Sequence, residues 1–155
     1  LPEDFYSSKF IVDKAISYIH EDDPPAPFFA YCAFQAIHIP VQAPAEFTGN
    51  YDGVYDEGWE ALRKARHEKA IAEGLVPKGA KLAPMPKGSR PWSALSKDEQ
   101  KLYAARMQVN AGMLEAMDFH VGRLIEHLKA EGAYDNTIFV VTSDNGPAPS
   151  RGDNN

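Results

Sequence analysis

Two short apolar runs constrain this chain more than anything else in it. Phe28-Phe29-Ala30-Tyr31-Cys32-Ala33-Phe34 and Thr137-Ile138-Phe139-Val140-Val141-Thr142 are continuous, not alternating. An uninterrupted apolar strand is one covered on both faces, the situation of parallel sheets flanked by helices. Two such strands do not make a fold, because a sheet buried on both sides needs further strands beside them. No other segment has strand character, and 155 residues allow one domain and not two comfortable ones. The fold expected is α/β, with a mostly parallel central sheet, helices on both faces and only part of the sheet present.

The remainder reads as helices and loops. Ser7 or Ser8 can cap a helix running to about Glu21, with Phe10, Ile11, Lys14, Ala15, Tyr18 and Ile19 forming a mostly apolar stripe broken only at Lys14. Asp22-Asp23-Pro24-Pro25 stops it, since proline cannot continue the hydrogen-bond ladder. Residues 35–50 read as irregular, with Pro40 and Pro44. A second helix is expected from Gly58 to Glu73, closed by Gly74, with Trp59, Leu62, Ala65 or Arg66, Lys69 and Ala70 on one side. A loop rich in proline and glycine follows, and residues 45–94 together look like an insertion within one domain. Ser96-Lys97-Asp98-Glu99 has capping-box spacing and opens the longest helix. Leu102, Ala105, Val109, Met113, Ala116 or Met117, Val121, Leu124 and Leu128 mark its inner face as far as Gly132, about 45–50 Å of helix.

Charge and cysteine content exclude several functions. A net charge of −6 disfavours nucleic-acid binding, which relies on clustered Lys and Arg. The single cysteine, Cys32, cannot form an internal disulfide. No apolar stretch reaches the ~18–20 residues that span a bilayer. The chain starts Leu-Pro-Glu-Asp, without an initiator Met or a signal-peptide pattern, and is expected to be an interior piece of something longer.

The second apolar run ends on Ser143-Asp144-Asn145-Gly146. In open α/β sheets ligands gather outside the carboxyl ends of strands. There an Asp carboxylate beside an Asn carbonyl offers two hard oxygen donors, suited to Ca²⁺ or Mg²⁺. Four residues alone read equally well as a polar turn. The first apolar run, however, also leads into a polar loop, and His38 would lie at the same end of the sheet as Asp144.

These residues carry a resemblance. Phe34-Gln35-Ala36-Ile37-His38-Ile39-Pro40-Val41-Gln42-Ala43-Pro44 is similar to the histidine–proline segment of type I sulfatases, the arylsulfatase family of the alkaline-phosphatase-like superfamily. Tyr55-Asp56-Glu57-Gly58-Trp59-Glu60-Ala61-Leu62-Arg63, Tyr134-Asp135-Asn136-Thr137 leading to Ser143-Asp144-Asn145-Gly146, and Phe5-Tyr6-Ser7-Ser8 with Asp13-Lys14-Ala15 resemble stretches of the same enzymes, in the same order. The resemblance implies a partial alkaline-phosphatase-like sandwich. It makes Asp144 and Asn145 ligands of a divalent metal, usually Ca²⁺ with Mg²⁺ as the alternative. It makes His38 the catalytic histidine that binds the sulfate and protonates the leaving alkoxide. The implied substrate is a small-molecule sulfate ester.

The family's nucleophile, a formylglycine made by a dedicated installing enzyme from a Cys/Ser-x-Pro/Ala-x-Arg motif, has no counterpart here. Cys32-Ala33-Phe34-Gln35-Ala36 departs from that motif at every fixed position, so Cys32 is expected to be a packing residue. Asp22-Asp23 reads as a helix stop and not as the family's other metal-binding pair. The expectation is therefore a piece of a sulfatase that is inactive alone, with a phosphodiesterase or phosphonate monoester hydrolase of the same superfamily as the alternative. His20, His67, His120 and His127 read as surface or satisfied helix residues, and Trp59 and Trp92 as packing. Arg151-Gly152-Asp153 reads as an incidental loop tripeptide.

Overall fold

The computed structural model describes residues 5–19 and 26–145. The Asp22-Asp23 pair, His20, Gly146 and the Arg151-Gly152-Asp153 tripeptide lie outside the described residues.

Four α-helices organise the described residues: α1 (Ser7–Ile19), the single turn α2 (Ala45–Thr48), α3 (Gly58–Ala72) and α4 (Lys97–Ala130). The last, 34 residues long, runs about 51 Å at 1.5 Å per residue. Its start is the expected capping box: the Ser96 hydroxyl accepts from the Glu99 backbone N–H, and the Glu99 carboxylate accepts from the Ser96 N–H at 2.8 Å. Arg90 adds a two-pronged ion pair to the same carboxylate, at 2.7 and 3.3 Å. The hydrogen bond from Arg90, followed by those from Ser96, lowers the Glu99 carboxyl to about 2. Asp98 and Glu99 in the first turn and Lys129 in the last turn also complement the helix dipole.

Helix α4 is the platform on which the other elements rest. Helix α1 packs along it, and Val12 of α1 and Ala116 and Leu128 of α4 are essentially removed from water. An ion pair crosses the same contact: Arg123 Nη2 donates to Asp13 Oδ1 at 2.7 Å, while Lys9 holds the other oxygen at 2.9 Å. Phe47 of α2 is buried, its ring 5.6 Å from that of Phe119. At the next residue, Thr48, α2 approaches Gly112 so closely that a Cβ there would lie 3.0 Å from the Thr48 Cα.

Helix α3 carries a small aromatic cluster. Trp59 meets Trp92 edge-on at 4.9 Å and Tyr103 of α4 at 5.8 Å, which fits the packing role expected of both tryptophans. Gly58, at φ +80°, lies directly under the Trp92 ring; a Cβ there would fall 2.2 Å from Cγ. The proline-rich loop folds back on α3, where Arg63 Nη2 donates to the Ala83 carbonyl at 3.1 Å and His67 Nε2 to that of Ala80 at 2.9 Å.

Four expectations need correction. The α1 stripe does not face the core: Phe10 and Tyr18 are exposed and Val12 is the buried apolar residue. Residues 45–48, read as irregular, form α2. Residues 28–34 and 137–142 have no regular secondary structure, and no strand ladder forms among the described residues. Their apolar side chains face water instead of a core: Phe29 is 93% exposed, Ile138 91% and Val141 93%. A β-strand is completed by hydrogen bonds to a neighbour, and neither run has such a partner among the described residues. The inner face of α4 is also displaced at its start. Leu102 and Ala105 are exposed, and the buried positions are Ala104, Gly112, Met113, Ala116, His120 and Leu128. The intervals 104–112–116–120 follow the four-residue ridge of a helix, and apolarity alone did not distinguish that ridge from its neighbour.

Candidate functional site

His38 sits in a turn that begins where the first apolar run ends. Its backbone N–H donates to the Gln35 carbonyl at 2.6 Å, closing the turn, and the ring is exposed. Nδ1 lies 2.7 Å from the carbonyl of Ile39. A carbonyl only accepts, so Nδ1 carries the proton in this arrangement and Nε2 is the nitrogen left for another group. Downstream, Pro44 leads into α2, so burial of Phe47 against α4 tethers the His38 loop at its far end.

Asp144 and Asn145 lie just past the second apolar run and are exposed. Asp144 Oδ1 accepts from the Asn145 backbone N–H at 2.8 Å, and the Ser143 hydroxyl donates to the Asn145 carbonyl. This local bonding holds the Asp144 carboxylate beside its neighbour, and Oδ2 has no partner among the described residues. The pair has hard-cation chemistry but supplies two oxygens where Ca²⁺ takes ~6–8. Among the described residues no group of three or more His, Cys, Asp or Glu forms a metal cluster, and no hydrogen bond or ion pair joins His38 to Asp144 or Asn145. Cys32 is partly buried, and burial pushes its thiol pKa up, the opposite of what a nucleophilic cysteine needs.

The most constrained ionisable group lies elsewhere. His120 is buried within α4, and its Nδ1 stands 3.1 Å from Arg123 Nη1. A guanidinium only donates, so Nδ1 accepts and the proton resides on Nε2. Burial, then the Arg123 charge, lower the His120 pKa. Burial works against the Asp13 carboxylate, but hydrogen bonds from Lys9 and Arg123 outweigh it and lower its pKa. The sequence marked His120 as a satisfied helix residue, which is correct for Nδ1. The available signal for more was its place four residues after Ala116 and three before Arg123.

The whole chain, residues 1–155, matches the Sulfatase family, and the chain belongs to that family. It is 37% identical over 152 residues to an arylsulfatase of Klebsiella aerogenes, covering 98% of this chain and 32% of that protein. It is 38% identical over 145 residues to an uncharacterized sulfatase of Schizosaccharomyces pombe, covering 93% and 26% respectively. A multifunctional alkaline phosphatase superfamily protein of Trinickia caryophylli matches at 25% over 150 residues, 94% of this chain and 28% of that one. The chain thus spans about a quarter to a third of the length of these relatives. Family membership implies the alkaline-phosphatase-like α/β fold, to which the described residues contribute helices and two unpaired apolar segments. No helix among the described residues is long and apolar enough to cross a membrane.

Proposed function

We propose that this chain is part of a sulfatase that hydrolyses small-molecule sulfate esters, with His38 as its proton donor and Asp144 and Asn145 as part of its metal site. The observation that carries the reading is the sulfatase match across both loops, each of which follows an apolar segment. Residues 28–34 and 137–142 are then strands of a sheet whose other members lie elsewhere in the longer protein. This accounts for bare Ile138 and Val141 in an otherwise ordinary sequence. A divalent ion, Ca²⁺ or Mg²⁺, bound by Asp144 Oδ2 and the Asn145 amide oxygen would supply charge stabilisation for the sulfuryl oxygens. Its remaining ligands, and a formylglycine nucleophile placed by an installing enzyme, come from residues outside this chain. The 155 residues by themselves are therefore inactive.

With the Ile39 carbonyl holding Nδ1, His38 works through Nε2. Protonated, Nε2–H gives its proton to the ester oxygen as the S–O bond breaks and the electron pair stays on that oxygen. A phosphodiesterase or phosphonate monoester hydrolase is the second reading, favoured by the Trinickia caryophylli match. Both use a metal facing a tetrahedral oxyanion.

In the longer protein, Asp144→Ala is expected to lose bound metal and aryl-sulfate turnover together, by ~10²-fold or more in rate. His38→Ala is expected to lose ~10²–10⁴-fold in rate with metal content intact. Full metal and full rate in Asp144→Ala would refute the site. Faster hydrolysis of a phosphate diester than of the matching sulfate would move the protein to the second reading.

A further inference from the structure

A cavity of about 680 Å³ opens between the first turn of α1, residues 42–46 and the middle of α4. That is within the ~300–1,000 Å³ range of small-molecule sites. Phe5 and Phe119 wall it, and Phe119 is more than half exposed to the space. Its polar lining is rich in donors. Lys9 uses one N–H on Asp13 and Arg123 divides its contacts between Asp13 and His120. His120 has its Nδ1 filled by Arg123, and its Nε2–H has no partner among the described residues although the side chain is buried and lines the cavity. Glu46 supplies the one carboxylate of the lining.

We infer that this cavity is a binding site, separate from the His38 and Asp144 loops, for a flat aromatic body carrying an anionic sulfate, sulfonate or carboxylate group. Two cations and an unpartnered N–H donor call for an acceptor-rich, negative group, and the phenylalanine rings call for a planar apolar one. The Nε2–H of His120 is accessible from the cavity, so a ligand oxygen there takes the place of water and adds direction to binding. Inorganic sulfate alone leaves the ring faces uncovered, and a neutral arene leaves the donors unanswered.

The probe is 2-naphthalenesulfonate, which has no ester to cleave, with 2-naphthoate in parallel, titrated into the full chain and followed by NMR. Saturable shifts at His120 and Phe119 are expected, with a Kd of about 1 mM for a ligand of roughly 14 heavy atoms. The tighter of the two probes identifies the headgroup. Phe119→Ala and Lys9→Gln, both at exposed positions, should each weaken binding about 3- to 10-fold while circular dichroism stays unchanged. No saturation by about 10 mM, affinity in both variants unchanged from that of the unsubstituted chain, or shifts centred on His38 and residues 143–145 would each overturn the assignment. The last of those results would leave the proposed sulfuryl site intact, and loss of turnover in Asp144→Ala says nothing about this cavity, so the two readings fail separately.

Discussion

Gly112 and Gly122 lie in the same helix and should respond oppositely to the same substitution. In a helix interior, Gly→Ala ordinarily stabilises by ~1 kcal/mol, because alanine has less backbone freedom to lose. At Gly122 nothing lies within 4 Å of the added methyl, so Gly122→Ala should realise that gain. At Gly112 the methyl would stand 2.9 Å from Thr48 Cγ2 and 3.0 Å from both the Thr48 Cα and N. Two of those atoms are backbone, so no rotamer change relieves the contact. Carbon pairs rest at ~3.5–4.0 Å, and a retreat of 0.5–1 Å forfeits about a quarter to a half of each contact behind it. Here the retreat would lift Phe47 from its buried seat and stretch the 2.9 Å hydrogen bond from Gln108 to the Thr48 carbonyl. Overpacking of this kind costs ~1–3 kcal/mol. Set against the helix gain, Gly112→Ala should lose about 1 kcal/mol while Gly122→Ala gains about 1. Urea unfolding followed at 222 nm measures both, and at this chain length the gap corresponds to roughly 4–8 °C in Tm. Equal stabilisation by the two variants would refute the close docking of α2 on α4.

Two further substitutions and one titration test other parts of the structure. Gly58→Ala combines a left-handed backbone with a methyl inside the Trp92 ring; it should cost at least ~2 kcal/mol and shift tryptophan emission to the red as the aromatic cluster opens. Lowering the pH should destabilise the α1–α4 contact through His120. Its folded pKa lies below the ordinary ~6.5 because of burial and Arg123, so the unfolded chain takes up the proton first and stability falls as pH drops below about 6.5. Arg123, Asp13, Lys9 and Glu46 are the charges that act on this histidine. His120→Gln, which keeps an acceptor for Arg123, should flatten the Tm profile between pH ~7.5 and ~5.5; identical profiles in the two proteins would remove His120 as the cause.

The helices were legible because their signals are local. The Ser96–Glu99 box and Gly74 after α3 each act within a few residues, and the structure places those helix ends accordingly; the proline stop after α1 lies outside the described residues. The candidate residues His38, Asp144 and Asn145 were legible through family resemblance and not through geometry. Their local bonding, with Ile39 on Nδ1 and Asn145 N–H on Asp144, follows from immediate neighbours. The cavity was not legible. It joins Phe5 and Lys9 to residues 42–46 and to Phe119, His120 and Arg123, side chains separated by more than a hundred positions and brought together by packing on α4.

By itself the sequence determined where α1, α3 and α4 lie and which family the chain resembles, since backbone preference and motif spacing are properties of short stretches; α2, within residues read as irregular, it did not show. Tertiary structure alone decided that Trp92 seats over Gly58, that Thr48 seats against Gly112, and that Arg123 fixes the tautomer of a buried His120. It also decided that the two apolar runs stand unpaired, because a sheet hydrogen bond belongs to two strands at once and one strand's residues cannot state whether the other is there.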